Sequence, residues 1–358
     1  MKNGGIQQDE RTVLVTGGAG FIGTNLTDRL ASQGWKVRLL DNLSRTGVEK
    51  NLRWLLREHP EHLEFREGDI RDAGAVKEAV AGVELVFHLA AQVAVTTSLA
   101  APIEDFEINA RGTLNVLEAI RSQTRPPSLI YTSTNKVYGS LQDLALSETA
   151  KRYVKRGRTD RAISEKRCVD FHSPYGCSKG AAEQYVRDYA RSYGLKTVVF
   201  RMSCIYGPHQ FGNEDQGWVA HFLIRALHNH AIVLYGNGKQ VRDLLFVDDL
   251  IDAFLLAVQK IDTLSGNAFN IGGGERNAVS LLELLDVIED LDGRRPRFHF
   301  GRVREGDQPY FVSDTRSFST RTGWEPRVSA VQGIKRLHQW LTDNEIELEH
   351  SLLSTVAA

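Results

Sequence analysis

The sequence predicts an α/β chain built on a doubly wound parallel sheet, with a smaller mixed α/β lobe toward the C-terminus. Three observations carry this prediction. Short β-branched runs alternate with amphipathic helical patterns from residue 11 to about 205. The first such run leads directly into a glycine cluster that opens a helix. Beyond 205 the strict alternation stops while apolar patterning continues.

Taken in order, "TVLVTGGAGFIGTNLTDRLASQGWKVRLLDNLS" reads as a strand, a tight turn, a helix and a second strand. "LEFREGDI", "VELVFHLAA", "SLIYTST" and "KTVVFRMS" supply further strands, and "DAGAVKEAVAG", "NARGTLNVLEAIRSQ" and "GAAEQYVRDYARSYG" the helices between them. Together they make a Rossmann-type sheet. In the second lobe "EDQGWVAHFLIRALHN" reads as a helix, "AIVLYGNGKQVRDLLFVDDLIDAFLLAVQ" as strands leading into another, and "SLLELLDVIEDLDG" as a third. The expected division is a dinucleotide-binding domain over 11–205 with an insertion at about 140–172, a lobe mainly over 206–342 with the chain crossing between the two, and a tail at 343–358. No internal repeat and no long Gly/Ser linker separates them.

Composition narrows the function. With 42% hydrophobic and 25% charged residues, the 358-residue chain can bury a large core. A formal net charge of −1 lacks the electrostatic footprint of a nucleic-acid binder. Three cysteines, Cys168, Cys177 and Cys204, form neither a disulfide framework nor a zinc pattern, so no metal is expected and a reducing cytoplasm fits. The polar N-terminal "MKNGGIQQDE" does not read as a signal peptide, and no apolar run approaches the ~18 residues of a membrane span.

Gly17, Gly20 and Gly23 stand in G-x-x-G-x-x-G spacing after the first strand. Glycines there let the backbone approach a pyrophosphate, while the free N–H groups of the helix start, at Phe21 and Ile22, favour its charge. Asp41 ends the next strand, where a carboxylate accepts from an adenosine ribose and repels a 2′-phosphate, so NAD is favoured over NADP. Arg45 is the one dissenting signal; Asn42 and Ser44 share that loop and are candidate cofactor contacts. Tyr175 and Lys179, four apart at the start of a helix, stack on one face, a spacing that by itself leaves open whether the pair is reactive.

The motifs "TGGAGFIG", "GDIRD", "FHLAAQ", "INARGT", "STNKVYG", "SPYGCSKGAAEQY" and "VRDLLFVDDL", in this order over residues 11–342, resemble the extended short-chain dehydrogenase/reductase family of sugar-nucleotide epimerases and dehydratases. The resemblance implies NAD as cofactor and Tyr175 as the acid/base group. It gives Lys179 the nicotinamide ribose and the lowering of the tyrosine pKa, and Thr134, with Ser133 as the competing choice, the hydroxyl that bonds the reacting group. It places Asp69 and Ile70 by the adenine, Leu89, Ala90 and Gln92 along the nicotinamide half, and Asn109 on the helix beside the site. Ser133, Asn135, Gln210, Arg242, Arg304 and Asp307 fall to the nucleotide-sugar substrate, the arginines and Asp307 holding its diphosphate and ribose. His88 reads as packing, and so does Cys204, which stands where a 4-epimerase typically has an asparagine.

Sugar 4,6-dehydratases carry Asp-Glu directly after the threonine; here Asn135 and Lys136 occupy those places, which disfavours elimination. "DNLSRTGVEKNLRWL", "QVAVTTS", "DQGWV", "GNGKQVRD" and "GNAFNIGG" are similar to the subgroup of CDP-tyvelose (CDP-paratose) 2-epimerases, which implies oxidation at C2 of a CDP-hexose. A 4-epimerase of a UDP-, GDP- or CDP-sugar is the alternative, and a non-catalytic NAD-sensing protein a further one. The resemblance also implies a homodimer formed by the helices bearing Tyr175 and Asn109. The basic run at 151–167 reads as a solvated loop over the site, or else as a phosphate-attracting lid.

Overall fold

The structure is a computed structural model and describes residues 11–157, 162–304 and 306–344. Its elements run β1 (Thr12–Thr16), α1 (Phe21–Ser32), β2 (Lys36–Asp41), α2 (Val48–Glu58), β3 (Leu63–Glu67), α3 (Ala73–Val80), β4 (Leu85–His88), α4 (Val95–Ala100), α5 (Pro102–Phe106), a π-helical turn (Glu107–Arg111), α6 (Gly112–Arg121) and β5 (Ser128–Thr134). After the short hairpin β6 (Leu146–Glu148) and β7 (Tyr153–Lys155) come α7 (Ser173–Tyr193), β8 (Thr197–Met202), β9 (Cys204–Tyr206), α8 (Trp218–Leu227), β10 (Ile232–Tyr235), β11 (Val241–Phe246), α9 (Val247–Gln259), α10 (Ile261–Leu264) and β12 (Asn267–Ile271). The chain ends through β13 (Ala278–Ser280), α11 (Leu281–Asp292), β14 (Phe298–Gly301), β15 (Tyr310–Phe311), α12 (Arg316–Thr322) and α13 (Ala330–Asp343).

Seven strands form the main sheet in the order β12-β8-β5-β4-β1-β2-β3, every pair parallel. Strand alternation divides the core between its two faces. Val13 and Val15 of β1 pack with Leu26 and Leu30 of α1 and Phe254 of α9. Leu14 points the other way, into a cluster with Val76, Val116, Ile120 and Tyr189 from α3, α6 and α7. The strand order reverses between β1 and β4, which opens a crevice at their carboxyl ends.

The division expected near 205 is crossed by the chain: α9 packs on the main sheet and β12 is its seventh strand, paired with β8. The second lobe is therefore made of separated segments. It holds the parallel pair β10–β14 and a mixed sheet in which β11 pairs with β9, β13 and β15, covered by α8, α11 and α13.

The insertion lies on this second lobe. Lys151 and Arg152 pair with Asp286 and Glu283 of α11, Arg167 pairs with Asp143, and Ile163 bridges to Ser313. Neither the loop nor the lid reading anticipates that these cations already have partners; residues 158–161 of the basic run, and 345–358 of the tail, lie outside the described residues. One helix also differs from expectation. The segment from Asn109 begins within a π-helical turn, and the Thr113 hydroxyl donates to the Asn109 carbonyl at 2.6 Å.

Candidate functional site

The crevice between β1 and β4 is built by the glycine turn. Gly17 has φ +68°, and a Cβ there would lie 2.7 Å from the Ala90 nitrogen, so a side chain would close the gap between turn and β4. No side chain caps the start of α1, which leaves its first N–H groups facing the crevice. Asp41 accepts from Ala19 N at 3.0 Å and Leu43 N at 2.9 Å, one on each oxygen, so each keeps lone-pair capacity for a ribose hydroxyl. Burial raises the Asp41 pKa, opposed by those two N–H groups and by Arg45. These residues fit an NAD adenosine and pyrophosphate.

Asp69 and Ile70 are held by local bonds. The Asp69 carboxylate takes two bonds from the Arg71 guanidinium, one from Arg71 N and one from Asn42, and Arg71 holds it down at about 2. All four of its acceptor positions are used, so it has none left for an adenine amine. The Ile70 side chain is buried in the sheet core and its carbonyl accepts from Asn115. Asn42 and Ser44 belong to the same brace, Ser44 N donating to the Asn42 side chain.

Along the other half of the crevice, Leu89 N and Ala90 N bond Thr16, and Gln92 N donates to Asn109 Oδ1. A carboxylate that sequence reasoning missed organises this region. Asp105, 1% exposed, accepts from Ser178 at 2.5 Å, Gln92 at 2.7 Å and Asn109 at 3.1 Å, so it ties α5, the loop after β4, the π-helical turn and α7 together. Its only sequence signal is a charge in an otherwise half-apolar stretch, "PIEDFEIN".

Helix α7 begins with Pro174 in its first turn and carries Tyr175 and Lys179 one above the other, both buried. The Thr134 hydroxyl, at the end of β5, donates to Asn135 Oδ1 at 3.4 Å, accepts from Lys136 N at 3.2 Å and lies near enough to the Tyr175 phenol to oppose the rise of its pKa. Ser133 is not equivalent. Its hydroxyl is 2% exposed and donates to Glu183 at 2.8 Å, facing the interior of the fold, which removes it both as the hydroxyl partner and as a substrate contact. Glu183 in turn receives the Arg201 guanidinium, and Arg201 bonds Tyr138; neither charge was singled out from sequence.

The electrostatics depart from expectation. Burial pushes Tyr175 up to about 12, with the Thr134 bond opposing and Asp105 adding to the rise. Burial also brings Lys179 down to about 7, although Asp105 and Glu183 favour its charge; its ammonium lies 4.4 Å from the Tyr131 ring centre. Lys179 is not among the groups that act on Tyr175; burial sets the direction of both shifts. His88 is packing, as expected: it bridges Thr16 and Thr113, and burial holds it neutral at about 3.

At the second-lobe side, Arg242 and Asp307 come together at 2.6 Å, beside Asn135 and Lys136 of the turn after β5. Gln308, fully buried and unforeseen, bonds the Gly139 carbonyl and anchors the loop that carries Asp307. Gln210 is buried, bonds the Ile205 carbonyl and has no partner for Oε1 among the described residues. Arg304 stands apart from Arg242: its guanidinium lies 3.7 Å from the Tyr235 ring centre and pairs with Glu214 and Asp215. Burial lifts the Cys204 thiol to about 12, which suits packing and not nucleophilic attack. Among the described residues no group of side chains could hold a metal ion and no helix could cross a membrane.

Fold and site together define a dinucleotide-binding α/β enzyme with a Tyr-Lys pair at the sheet's switch point. The pattern of the NAD dependent epimerase/dehydratase family matches residues 13–272, and the chain belongs to that family. It is 45% identical over 335 residues to a CDP-paratose 2-epimerase from Salmonella typhi, covering 92% of this chain and 98% of that one. A UDP-glucose 4-epimerase from Thermotoga maritima, solved with UDP-glucose, superposes with a TM-score of 0.80 at 32% identity, over 93% of this chain and 99% of its own. The UDP-glucose 4-epimerase of Thermus thermophilus, solved with NAD, gives a TM-score of 0.78 at 33% identity, over 92% of this chain and 99% of its own.

Proposed function

We propose that the protein is an NAD-dependent nucleotide-sugar epimerase that inverts C2 of a CDP-linked deoxyhexose of the CDP-paratose/CDP-tyvelose type. The observation that carries this reading is the 45% identity to a CDP-paratose 2-epimerase across nearly the whole of both chains. Asn135 and Lys136 in the turn after Thr134 agree with it, since they offer no carboxyl group for eliminating water.

NAD supplies the reversible acceptor of a hydride. Tyr175 takes the proton of the reacting hydroxyl and gives it back after the ketosugar has turned over, and Thr134 orients that hydroxyl. Lys179 holds the nicotinamide ribose and gives the phenol a positive neighbour. Asp105 keeps α5 and α7 in register so that Gln92 and Asn109 line the same crevice. Arg242 receives the diphosphate.

The protein acts as a homodimer in the cytoplasm. Leu99, Ile103, Phe106 and Tyr185, all exposed on α4, α5 and α7, supply an apolar face for pairing, and three free cysteines suit a reducing compartment. The test incubates purified protein, without added cofactor, with CDP-paratose, CDP-glucose and UDP- and GDP-hexoses, and assigns product stereochemistry by NMR. Inversion at C2 is expected. Inversion at C4 alone would replace this reading by the 4-epimerase that the structural likenesses also permit.

A further inference from the structure

Lys136 stands in the catalytic turn, two residues after Thr134, and its side chain reaches across the cleft to the other lobe. Its Nζ donates to the Gly306 carbonyl at 3.0 Å and lies 4.0 Å from Asp307, the carboxylate that already accepts from Arg242 at 2.6 Å. An ammonium has three donors, and among the described residues one acceptor takes a hydrogen bond from this one. Lys136, Arg242 and Asp307 are each partly exposed, with side-chain exposures of 20%, 12% and 30%. Among the described residues two cations thus face one anion at the mouth of the site, a cluster with one positive charge in excess.

We propose that Lys136 is a substrate-binding residue: its ammonium is the second cation, beside Arg242, that holds the diphosphate of the nucleotide sugar, and it does so from the catalytic turn. The assignment rests on the nucleotide-sugar reading above. A diphosphate brought against Arg242 and Asp307 alone would meet one cation and one anion, a net charge of zero; with Lys136 it meets a net positive site. The same residue joins the phosphates to Thr134, because the Lys136 backbone N–H bonds the Thr134 hydroxyl. Substrate is then gripped by the residue that sets the orientation of the catalytic hydroxyl. A glutamate at this place, as in a dehydratase, would keep the backbone bond to Thr134 but repel the phosphates.

Burial, with the Arg242 guanidinium adding to it and Asp307 opposing, holds Lys136 down at about 8. Among the described residues the charged groups that face it are Arg242 of β11 and Asp307 of the loop before β15. Anion affinity conferred by Lys136 is therefore present below pH 8 and lost above it.

The experiment measures binding of CDP, UDP, GDP, dTDP and cytidine to the NAD-containing protein by titration calorimetry for wild type, Lys136→Met and Lys136→Arg. Lys136→Met is expected to weaken CDP by roughly 10- to 100-fold, the loss of a charge-assisted hydrogen bond, to leave cytidine and NAD content unchanged, and to raise KM more than it lowers kcat. Lys136→Arg recovers most of the CDP affinity. Wild-type CDP affinity falls as pH rises through 8, while that of Lys136→Arg does not. Equal CDP affinity in Lys136→Met, or equal loss of CDP and cytidine, would overturn the assignment, the second outcome marking Lys136 as a structural tie to Gly306. Should Lys136→Met fail to fold, Lys136→Gln takes its place, and a CDP affinity equal to wild type in that variant overturns the assignment. Wild type that binds none of CDP, UDP, GDP and dTDP would overturn the nucleotide-sugar reading instead, and this assignment with it.

Discussion

Glu183→Gln is the substitution that most directly tests how the site is held. Glu183 is fully buried and Arg201 is 4% exposed; the guanidinium reaches the carboxylate through contacts of 3.1, 3.0 and 2.5 Å, and Ser133 adds a fourth at 2.8 Å. Arg201 continues to the Tyr138 hydroxyl, which donates to Asn270 of β12, so one network joins β5, α7, β8 and β12. An amide keeps the shape and removes the charge, leaving a guanidinium buried against neutral groups. That costs about 3–5 kcal/mol, and with four elements pinned the structure has little room to relax. Lys179 lies one turn before Glu183 and is held near 7 with the help of this carboxylate, so its pKa drops further and the alkaline limit of turnover moves to lower pH. The assay is urea unfolding of the NAD-loaded protein, with Glu183→Leu/Arg201→Met as the second variant. That pair recovers much of the stability, since replacing both charges removes the unpaired one. A Glu183→Gln protein within about 1 kcal/mol of wild type, or a double variant as unstable as the single one, would refute charge compensation as the reason the pair is there.

Tyr175→Phe retains NAD and loses at least about 100-fold in turnover, because it removes the proton-transfer oxygen and little else; cofactor released on denaturation and the NMR assay check the two halves, and undiminished turnover would reassign the acid/base role. His88 titrates at about 3 in the fold against 6.5 when free, so the unfolded chain binds its proton first: stability is complete above pH 6.5 and erodes as pH falls toward 3, by at most about 1.4 kcal/mol per unit. A His88→Gln protein shows a flatter decline of Tm over that window, and an unchanged slope would place the acid sensitivity elsewhere.

Local chemistry made part of this molecule legible in the sequence. The glycine turn, Asp41 and the pair Tyr175 and Lys179 could be read because each needs a particular residue type at a fixed short spacing. Asp105, Glu183, Arg201 and Gln308 could not, since their partners lie far away in the chain: Asp105 meets Ser178 across 73 positions, and Gln308 meets Gly139 across 169. The same limit explains β12. Its pattern is that of any buried strand, and only pairing with β8 shows that the main sheet takes a strand from beyond the substrate lobe. Asp69 shows a motif residue with close local partners of its own. A motif placed it near the cofactor, while Arg71, two residues on in the same motif, consumes its carboxylate locally.

The composition of the turn after β5 bears on why such a fold would epimerise and not eliminate. A ketosugar held beside Thr134 has acidic C–H bonds next to its carbonyl, and a free carboxylate at the following two positions would be placed to take one of those protons. Asn135 presents an amide whose NH2 leans toward Gln308 at 3.4 Å, and Lys136 presents an ammonium. Asp307, whose carboxylate lies beside this turn, is engaged by Arg242 at 2.6 Å. Tyr175 at about 12 is protonated at neutral pH, so the phenol too is a donor until a cationic neighbour draws its proton away. The site therefore offers proton transfer at a single oxygen and withholds the second base that elimination requires, leaving return of the hydride as the open route for the oxidised sugar.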